Sequence, residues 1–543
     1  MAIGPTGADT VWSLYHRCAA SAESALVFVD DTGAVHPMPW PDLATRAGRI
    51  AAGLREAGVR RGDRVALLDA NSPDFPAVLG ATALLGAIVV PLNSLLAPPE
   101  LAYQLRDTEP KAIIAGHRFV AAAELALSGA GAEPRRFVIG GAAGRHTTAR
   151  PAPEPATGRP VPEPANDGRV SGWDPLPGHG QPLDGPPDRI DPMDPFQILF
   201  TSGTTSRPKG VLHSHRNILE EALRQAYQWS LRPNDVLFTH MPLFHVAGQG
   251  LMLFPAMSVG AGAAVGAVFS ASRWADDLRA TDATVAPVAG AQIRMIMAQP
   301  GRPDDADNRL RLIPSGIAVP ADMEAAFEAR FGAPIRSVSG STESIAVSYC
   351  EPVWGEHRHP ALGRPTFGKQ VEIRGEDGTV LPPGQPGELC VKGTPGAEVM
   401  LGYWNRPEET ATTLRDGWLH TGDIGVMDDD GFIFFVDRKK DIIKRAGENV
   451  SASEVERVLL ELGGVREAAV VGRPDPIRDE AVVAFVVLDA DGPTTEKMTE
   501  HCAGQLARFK VPEEFVVIDT MPTTSIGKIE KGALRERARN HGA

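Results

Sequence analysis

Between Val27 and Ala115 short β-rich runs such as RVALLDA and AIVVPLN alternate with helical stretches such as DLATRAGRIAAGLREAG. Strands and helices taking turns in this way predict a layered α/β domain built on a parallel sheet. From about residue 140 to 192 the text turns to PAPEPATGRPVPEPANDG and similar, which offers little apolar surface to bury and predicts a flexible surface insertion. Order resumes at Phe196 with QILFTSGTTSRPKGVLHSHRN, an apolar strand that runs into a Gly/Ser/Thr loop and out into a second β-like run. Further α/β text continues to about Gly431. After FIFFVDRKKDIIK comes a compact segment with an amphipathic helix (SASEVERVLLEL), strands (AAVVG, AVVAFVV) and a basic C-terminal helix. The expected organisation is a large domain at 1–436, a junction at 437–440 and a small domain at 441–543.

One stretch needs a separate decision, because Gly248 to Phe269 carries no charged residue and approaches the length of a bilayer span. Its repeated glycines, Pro255 and lack of aromatic or basic flanks instead predict a buried helix followed by a buried strand.

Composition narrows the function classes. At 543 residues the chain exceeds a single ordinary core. With 54 Lys plus Arg against 68 Asp plus Glu, the net charge of −14 would repel a polyanion, so nucleic acid is not an expected partner. Cys18, Cys350, Cys390 and Cys502 are far apart and lack CxxC spacing, which suggests neither a zinc site nor a disulfide framework and fits a reducing cytoplasm. The N-terminal MAIGPTGADTVW has no basic segment followed by an apolar run, so export is not expected.

The candidate chemistry begins at Thr201-Ser202-Gly203-Thr204-Thr205-Ser206-Arg207-Pro208-Lys209-Gly210. Backbone N–H groups and hydroxyls in such a loop can converge on phosphate oxygens, and Lys209 adds a positive charge. It is not a Walker loop: Pro208 stands in place of the second glycine, Gly210 follows the lysine, and VLHSH continues as a strand. Taken alone, the same composition is also that of a Ser/Thr/Gly surface turn.

The loop resembles the signature of the acyl-activating, adenylate-forming superfamily of acyl-CoA synthetases, adenylation domains and luciferases, and five further blocks follow in that family's order. MPLFHVAGQG resembles the element that lines the acyl pocket, which assigns His245, Val246, Gly248 and Gln249 to substrate, with Gly316 in the same role. SVSGSTES resembles the block that supplies Gly340, Thr342 and the magnesium carboxylate Glu343, with Thr201 as the hydroxyl that helps hold the metal. Ser339 stands where the family has a tyrosine packed beside adenine. GWLHTGDIG gives the ribose-binding Asp423; VDRKKDIIK gives Arg438 as a second nucleotide contact and Lys440 as the hinge; PTTSIGKIEKGALRE gives the catalytic Lys528. The local text HPALGRPTFGKQVEI and RAGENVSASEVE looks most like crotonobetaine/carnitine-type and medium-chain acyl-CoA ligases.

The resemblance covers Val27 to Arg535. It implies an α/β fold, with a large N-terminal domain of two layered α/β subdomains plus a barrel-like region and a small mobile α+β C-terminal domain. It also implies ATP and Mg²⁺ as requirements, with Ser202, Gly203, Thr204, Thr205 and Lys209 at the nucleotide. The region from His245 to Gly262 has no Asp, Glu, Lys or Arg, which favours an acid with an uncharged or aromatic tail. Amino-acid adenylation domains place an aspartate after the phenylalanine, whereas His245 follows Phe244 here. No carrier domain follows Ala543, so coenzyme A is the expected acceptor. A separate carrier protein, an amine or other nucleophile, and nucleotide binding without catalysis stay open, as does the oligomeric state.

Overall fold

Strands whose every residue is apolar can only be satisfied by cover on both faces, and the first part of the chain supplies that cover with helices. In the computed structural model, Arg64–Leu68, Ile88–Leu92, Ala112–Gly116 and Arg135–Ile139 are parallel neighbours. All five residues of Ile88–Leu92 and of Ala112–Gly116 are buried. The helix Asp74–Leu85 has no polar face and is buried throughout from Phe75 to Leu85, as expected of a helix enclosed by core. The structure describes residues 9–20, 24–139, 171–178, 180–201, 208–316, 319–438, 441–445, 448–475, 479–523 and 529–541.

These residues fall into two compact units. The first comprises the described residues within 1–201, 209–370 and 391–419; the second comprises those within 371–390 and 420–543, together with Pro208. An eight-stranded sheet organises the first unit. It runs from the two-residue strand Gly402–Tyr403 through Lys209–Ser214, Pro195–Thr201, Ile88–Leu92, Arg64–Leu68, Ala112–Gly116 and Arg135–Ile139 to Asp174–Pro175. Two four-stranded sheets complete it, one of Val236–Thr239, Gly262–Gly266, Ala25–Val29 and Val35–Pro39, the other of Ile313–Ser315, Ile335–Ser339, Tyr349–Cys350 and Arg364–Pro365.

Of the Pro/Gly-rich stretch, residues 140–170 and 179 lie outside the described residues. Its end is anchored: Trp173 is buried and donates its indole N–H to Glu124 at 2.6 Å, beside the short strand Asp174–Pro175. The uncharged stretch folds as the helix Val246–Gly248, a π-helical turn Gln249–Leu253, the helix Phe254–Val259 and the strand Gly262–Gly266, all deep in the first unit. Among the described residues no helix is long and apolar enough to cross a membrane. All four cysteines are buried free thiols.

In the second unit the long strands Val465–Asp475 and Asp479–Leu488 pair antiparallel, and alternate side chains enter two separate cores. Val470, Val482, Ala484 and Val486 pack with the helix Ala452–Leu460, while Val471, Val483, Phe485 and Val487 pack with Leu534 and Ala538 of the helix Lys531–His541. The runs AAVV and VVAFVV are apolar at every position because both faces of this sheet are covered. The whole is an α/β protein of mixed sheets with a small C-terminal α+β domain.

Candidate active site

The strand Pro195–Thr201 returns as Lys209–Ser214 in an antiparallel pair with Thr201 opposite Lys209. The Thr201 hydroxyl donates to the Lys209 carbonyl at 3.4 Å, so the two residues close the base of the loop. Ser202, Gly203, Thr204 and Thr205 lie outside the described residues, as do Lys440 and Lys528.

Glu343 is brought to this hairpin by a residue that the motif reading passed over. Gly402–Tyr403 pairs antiparallel with Leu212 and Val211 of the second hairpin strand. Tyr403 donates its hydroxyl to Glu343 Oε1 at 2.9 Å, and the Lys209 ammonium lies 4.8 Å from the centroid of its ring. Burial, reinforced by the neighbouring Glu343 carboxylate, pushes the Tyr403 phenol far above its ordinary range, so it stays an O–H donor. The backbone of Glu343 is also held, its carbonyl accepting from Met400 N at 2.9 Å. Lys209 and Glu343 thus meet one tyrosine, and Thr201 stands opposite Lys209 in the hairpin.

The SGSTES turn has its own supports. His213, buried on the second hairpin strand, donates Nε2–H to the Thr342 carbonyl at 2.7 Å and takes Gln197 Nε2 on its other nitrogen at 3.1 Å. A carbonyl can only accept, which fixes the tautomer and makes this a neutral imidazole. Burial agrees, lowering the ring's pKa to about 4. Below the turn, Glu221 accepts from Val347 N at 3.1 Å, from Gln225 at 2.9 Å and from Arg224 at 3.1 Å. Lys369 lies 3.8 Å from the same carboxylate and donates to the Ser344 carbonyl. Desolvation brings the Lys369 ammonium down to about 8. Gly340 leaves no room for a side chain, since a Cβ there would stand 2.3 Å from the Ala346 carbonyl oxygen. Ser339 ends the strand Ile335–Ser339 and pairs with Tyr349 across the sheet.

The acyl-pocket candidates form a separate turn in the first unit. His245 caps the short helix Val246–Gly248, its Nδ1 accepting from Ala247 N at 3.1 Å. Gln249 is buried and donates Nε2 to the Leu243 carbonyl at 2.7 Å. Asn71 ties the turn down, accepting from Leu243 N at 2.9 Å and donating to the carbonyls of Met241 and Gly266. Val246 is buried. Gly248 lies so close to Pro242 that a Cβ would be 2.3 Å from its carbonyl oxygen. Gly316 follows the strand Ile313–Ser315, exposed, with no atom within 4 Å of where a Cβ would stand.

Asp423 and Arg438 belong to the second unit. They face each other across the antiparallel pair Trp418–Met427 and Ile433–Arg438, with Arg438 Nε 2.6 Å from Asp423 Oδ1. Next to them Asp437 is buried and accepts from Ser451 Oγ at 3.0 Å and Ser453 N at 3.1 Å, at the start of the helix Ala452–Leu460.

Motif reasoning missed Tyr403, His213, Glu221 and Lys369. The first had a faint signal, a Gly-Tyr-Trp following an apolar run; the others carry no local pattern, because their roles arise from contacts distant in sequence.

Comparison with known proteins supports the same reading. Residues 16–404 match the model of the AMP-binding enzymes, and residues 454–528 match that of the AMP-binding enzyme C-terminal domain. A crotonobetaine/carnitine–CoA ligase of Salmonella choleraesuis is 34% identical over 515 residues, covering 94% of this chain and 96% of the relative. Among solved structures, the anthranilate CoA ligase AuaEII in complex with anthranoyl-AMP superposes with a TM-score of 0.83 at 25% identity, over 99% of both chains. ATP-bound MatB from Rhodopseudomonas palustris gives 0.82 at 26% identity, over 98% of this chain and 100% of the other. Matched over both of these ranges and by a relative along nearly its whole length, the chain belongs to the AMP-binding enzymes, the family of adenylate-forming acyl-CoA ligases.

Proposed function

We propose that this protein activates a small carboxylic acid with an uncharged or aromatic tail as its acyl-adenylate, consuming ATP and releasing pyrophosphate, and then transfers the acyl group to coenzyme A. The observation that carries this reading is the meeting of Lys209 and Glu343 at Tyr403, with Thr201 opposite Lys209 at the base of the hydroxyl loop. A carboxylate with hydroxyl oxygens beside it is a hard donor set, which fits Mg²⁺. Glu343, with the Thr201 hydroxyl, would hold the ion. Bound there, Mg²⁺ supplies charge neutralisation on the phosphate oxygens.

A carboxylate resists acyl transfer because its leaving group would be oxide; coupling to AMP turns that oxygen into a stabilised phosphate leaving group. As the acid attacks the α-phosphorus, negative charge builds on the phosphoryl oxygens and on departing pyrophosphate. The resemblance assigns Lys209, the hydroxyl loop and Lys528 to stabilise that charge. Asp423 presents a carboxylate suited to two ribose hydroxyls, with Arg438 beside it as a second nucleotide contact. The absence of charged residues from His245 to Gly262 supports an uncharged acyl tail. The relatives named for anthranilate and for crotonobetaine or carnitine are consistent with a small acid.

ATP–pyrophosphate exchange over a panel of acids tests the adenylation, and competition among coenzyme A, a carrier protein and amines then identifies the acceptor. Exchange with no acid would overturn the proposal. Losing one charge-stabilising contact costs about 2.7–4 kcal/mol, a factor of about a hundred to a thousand. Lys528→Ala is accordingly expected to slow acyl-AMP formation by that factor while sparing thioester formation from added acyl-AMP; equal loss in both steps would refute the assignment.

A further inference from the structure

We propose that Tyr403 is the positioning residue of the candidate phosphate hairpin, its hydroxyl orienting the Glu343 carboxylate while its ring face holds the Lys209 ammonium. The proposal rests on the reading of Glu343 as the magnesium carboxylate.

The need for such a residue follows from the chemistry of the two groups. Glutamate and lysine are long side chains that lose about 1.5–2 kcal/mol of rotamer freedom each when ordered. Left alone beside one another, an ammonium and a carboxylate form an ion pair, which would occupy the oxygens a cation needs and cancel the charge meant for phosphate. Tyr403 answers both problems with one side chain. Its O–H binds Glu343 Oε1 at 2.9 Å and fixes the plane of the carboxylate. Its ring attracts the Lys209 ammonium through the negative π face, 4.8 Å from the centroid, without consuming a carboxylate lone pair.

Tyr403 is itself held firmly enough to position others. Its strand pairs with Val211 and Leu212, Tyr403 N donates to Thr410 Oγ1 at 2.9 Å, and Trp404 N donates to the Gly210 carbonyl at 2.7 Å. The Trp404 indole N–H donates to the Asp107 carbonyl at 2.9 Å, tying the segment to the helix Pro98–Thr108. Gly402 adopts φ +149°, and a Cβ there would stand 2.8 Å from Thr410 Cγ2, so only glycine lets the chain turn into this register.

The test uses the full-length enzyme with Tyr403→Phe, Tyr403→Leu and Glu343→Gln, following ATP–pyrophosphate exchange against Mg²⁺ and ATP concentration, and thioester formation from added acyl-AMP. Tyr403→Phe keeps the ring and loses the hydroxyl. One hydrogen bond to a charged group is worth about 1.5–3 kcal/mol, so the Mg²⁺ concentration for half-maximal exchange should rise by about tenfold or more, with the KM for ATP little changed. Tyr403→Leu loses the ring as well and should add a rise in the KM for ATP. Both variants should retain the thioester step, and Tyr403→Phe should have no further effect in a Glu343→Gln background. If Glu343→Gln abolishes the Mg²⁺ response while Tyr403→Phe leaves it at the wild-type value, the positioning role is overturned and the magnesium reading stands. If Glu343→Gln leaves the Mg²⁺ response intact, the magnesium reading falls and this proposal with it. Equal loss of both half-reactions in Tyr403→Phe, with a lowered melting temperature, would mark a structural role and also overturn it.

Discussion

A histidine buried as a neutral ring exposes a protein to acid, and His213 is such a ring at the centre of the candidate site. The unfolded chain takes up a proton at this residue near pH 6.5, whereas the folded ring does so only near pH 4. Between those values the unfolded state binds more protons, so stability is retained above about pH 6.5 and falls as the pH drops towards about 4. A shift of this size corresponds to at most about 3 kcal/mol. His215, buried at the next helix start with its pKa also near 4, adds in the same direction. His213→Gln can still donate to the Thr342 carbonyl but cannot be protonated; urea unfolding between pH 7 and 4 should give a shallower fall in stability than the wild type. An unchanged slope would contradict the assignment. At this scale the candidate residues Thr201, Lys209 and Glu343 were legible because they stand in short motifs. The sequence did not disclose those that hold them: His213 and Tyr403 gain their roles by meeting Thr342 and Glu343 across the fold.

Elements read from hydrophobic pattern were recovered wherever both faces or one clear face are apolar. RVALL, IVVPL and the paired strands Val465–Asp475 and Asp479–Leu488 are examples. The pattern was silent on the helix Thr495–Gln505, where only Met498 and Cys502 are buried and most of the rest of TEKMTEHCAGQ is polar. It was also silent on the two-residue strand Gly402–Tyr403, too short to carry a period. One element depends on a single side chain upstream of it. Asp437 accepts from Ser451 Oγ, Ser453 N and Ser453 Oγ, fastening the helix Ala452–Leu460 by its first turn. Leaving buried donors without their acceptor costs about 1–3 kcal/mol. Asp437→Ala should lower the stability of the second unit by about that amount in chemical denaturation, and Asp437→Asn, which keeps one acceptor, should recover part of it. Equal stability of Asp437→Ala and the wild type would show that the helix is fastened by packing alone.

For the whole molecule, the family order of the blocks conveyed more than any one of them, because each motif alone also suits an ordinary turn or a solvated charge run. What sequence could not supply is the chain's habit of returning late to an early element, as residues 391–419 do to the first unit. The resemblance makes Lys440 the hinge between two half-reactions, and proline there would fix the backbone. Lys440→Pro is expected to form acyl-AMP normally and to stall before thioester release, read by burst-phase pyrophosphate against slow CoA-ester formation; undiminished thioester turnover would remove the hinge assignment. The late return also bears on biosynthesis. Until Gly402–Tyr403 leaves the ribosome, the strand Lys209–Ser214 is the bare rim of a large sheet, with unsatisfied amides and carbonyls able to recruit a strand from another chain. A fragment ending before this segment would retain that adhesive rim and would lack the tyrosine beside Glu343. Assembly of the candidate hairpin and protection of the sheet from aggregation are therefore one event in the life of the nascent polypeptide.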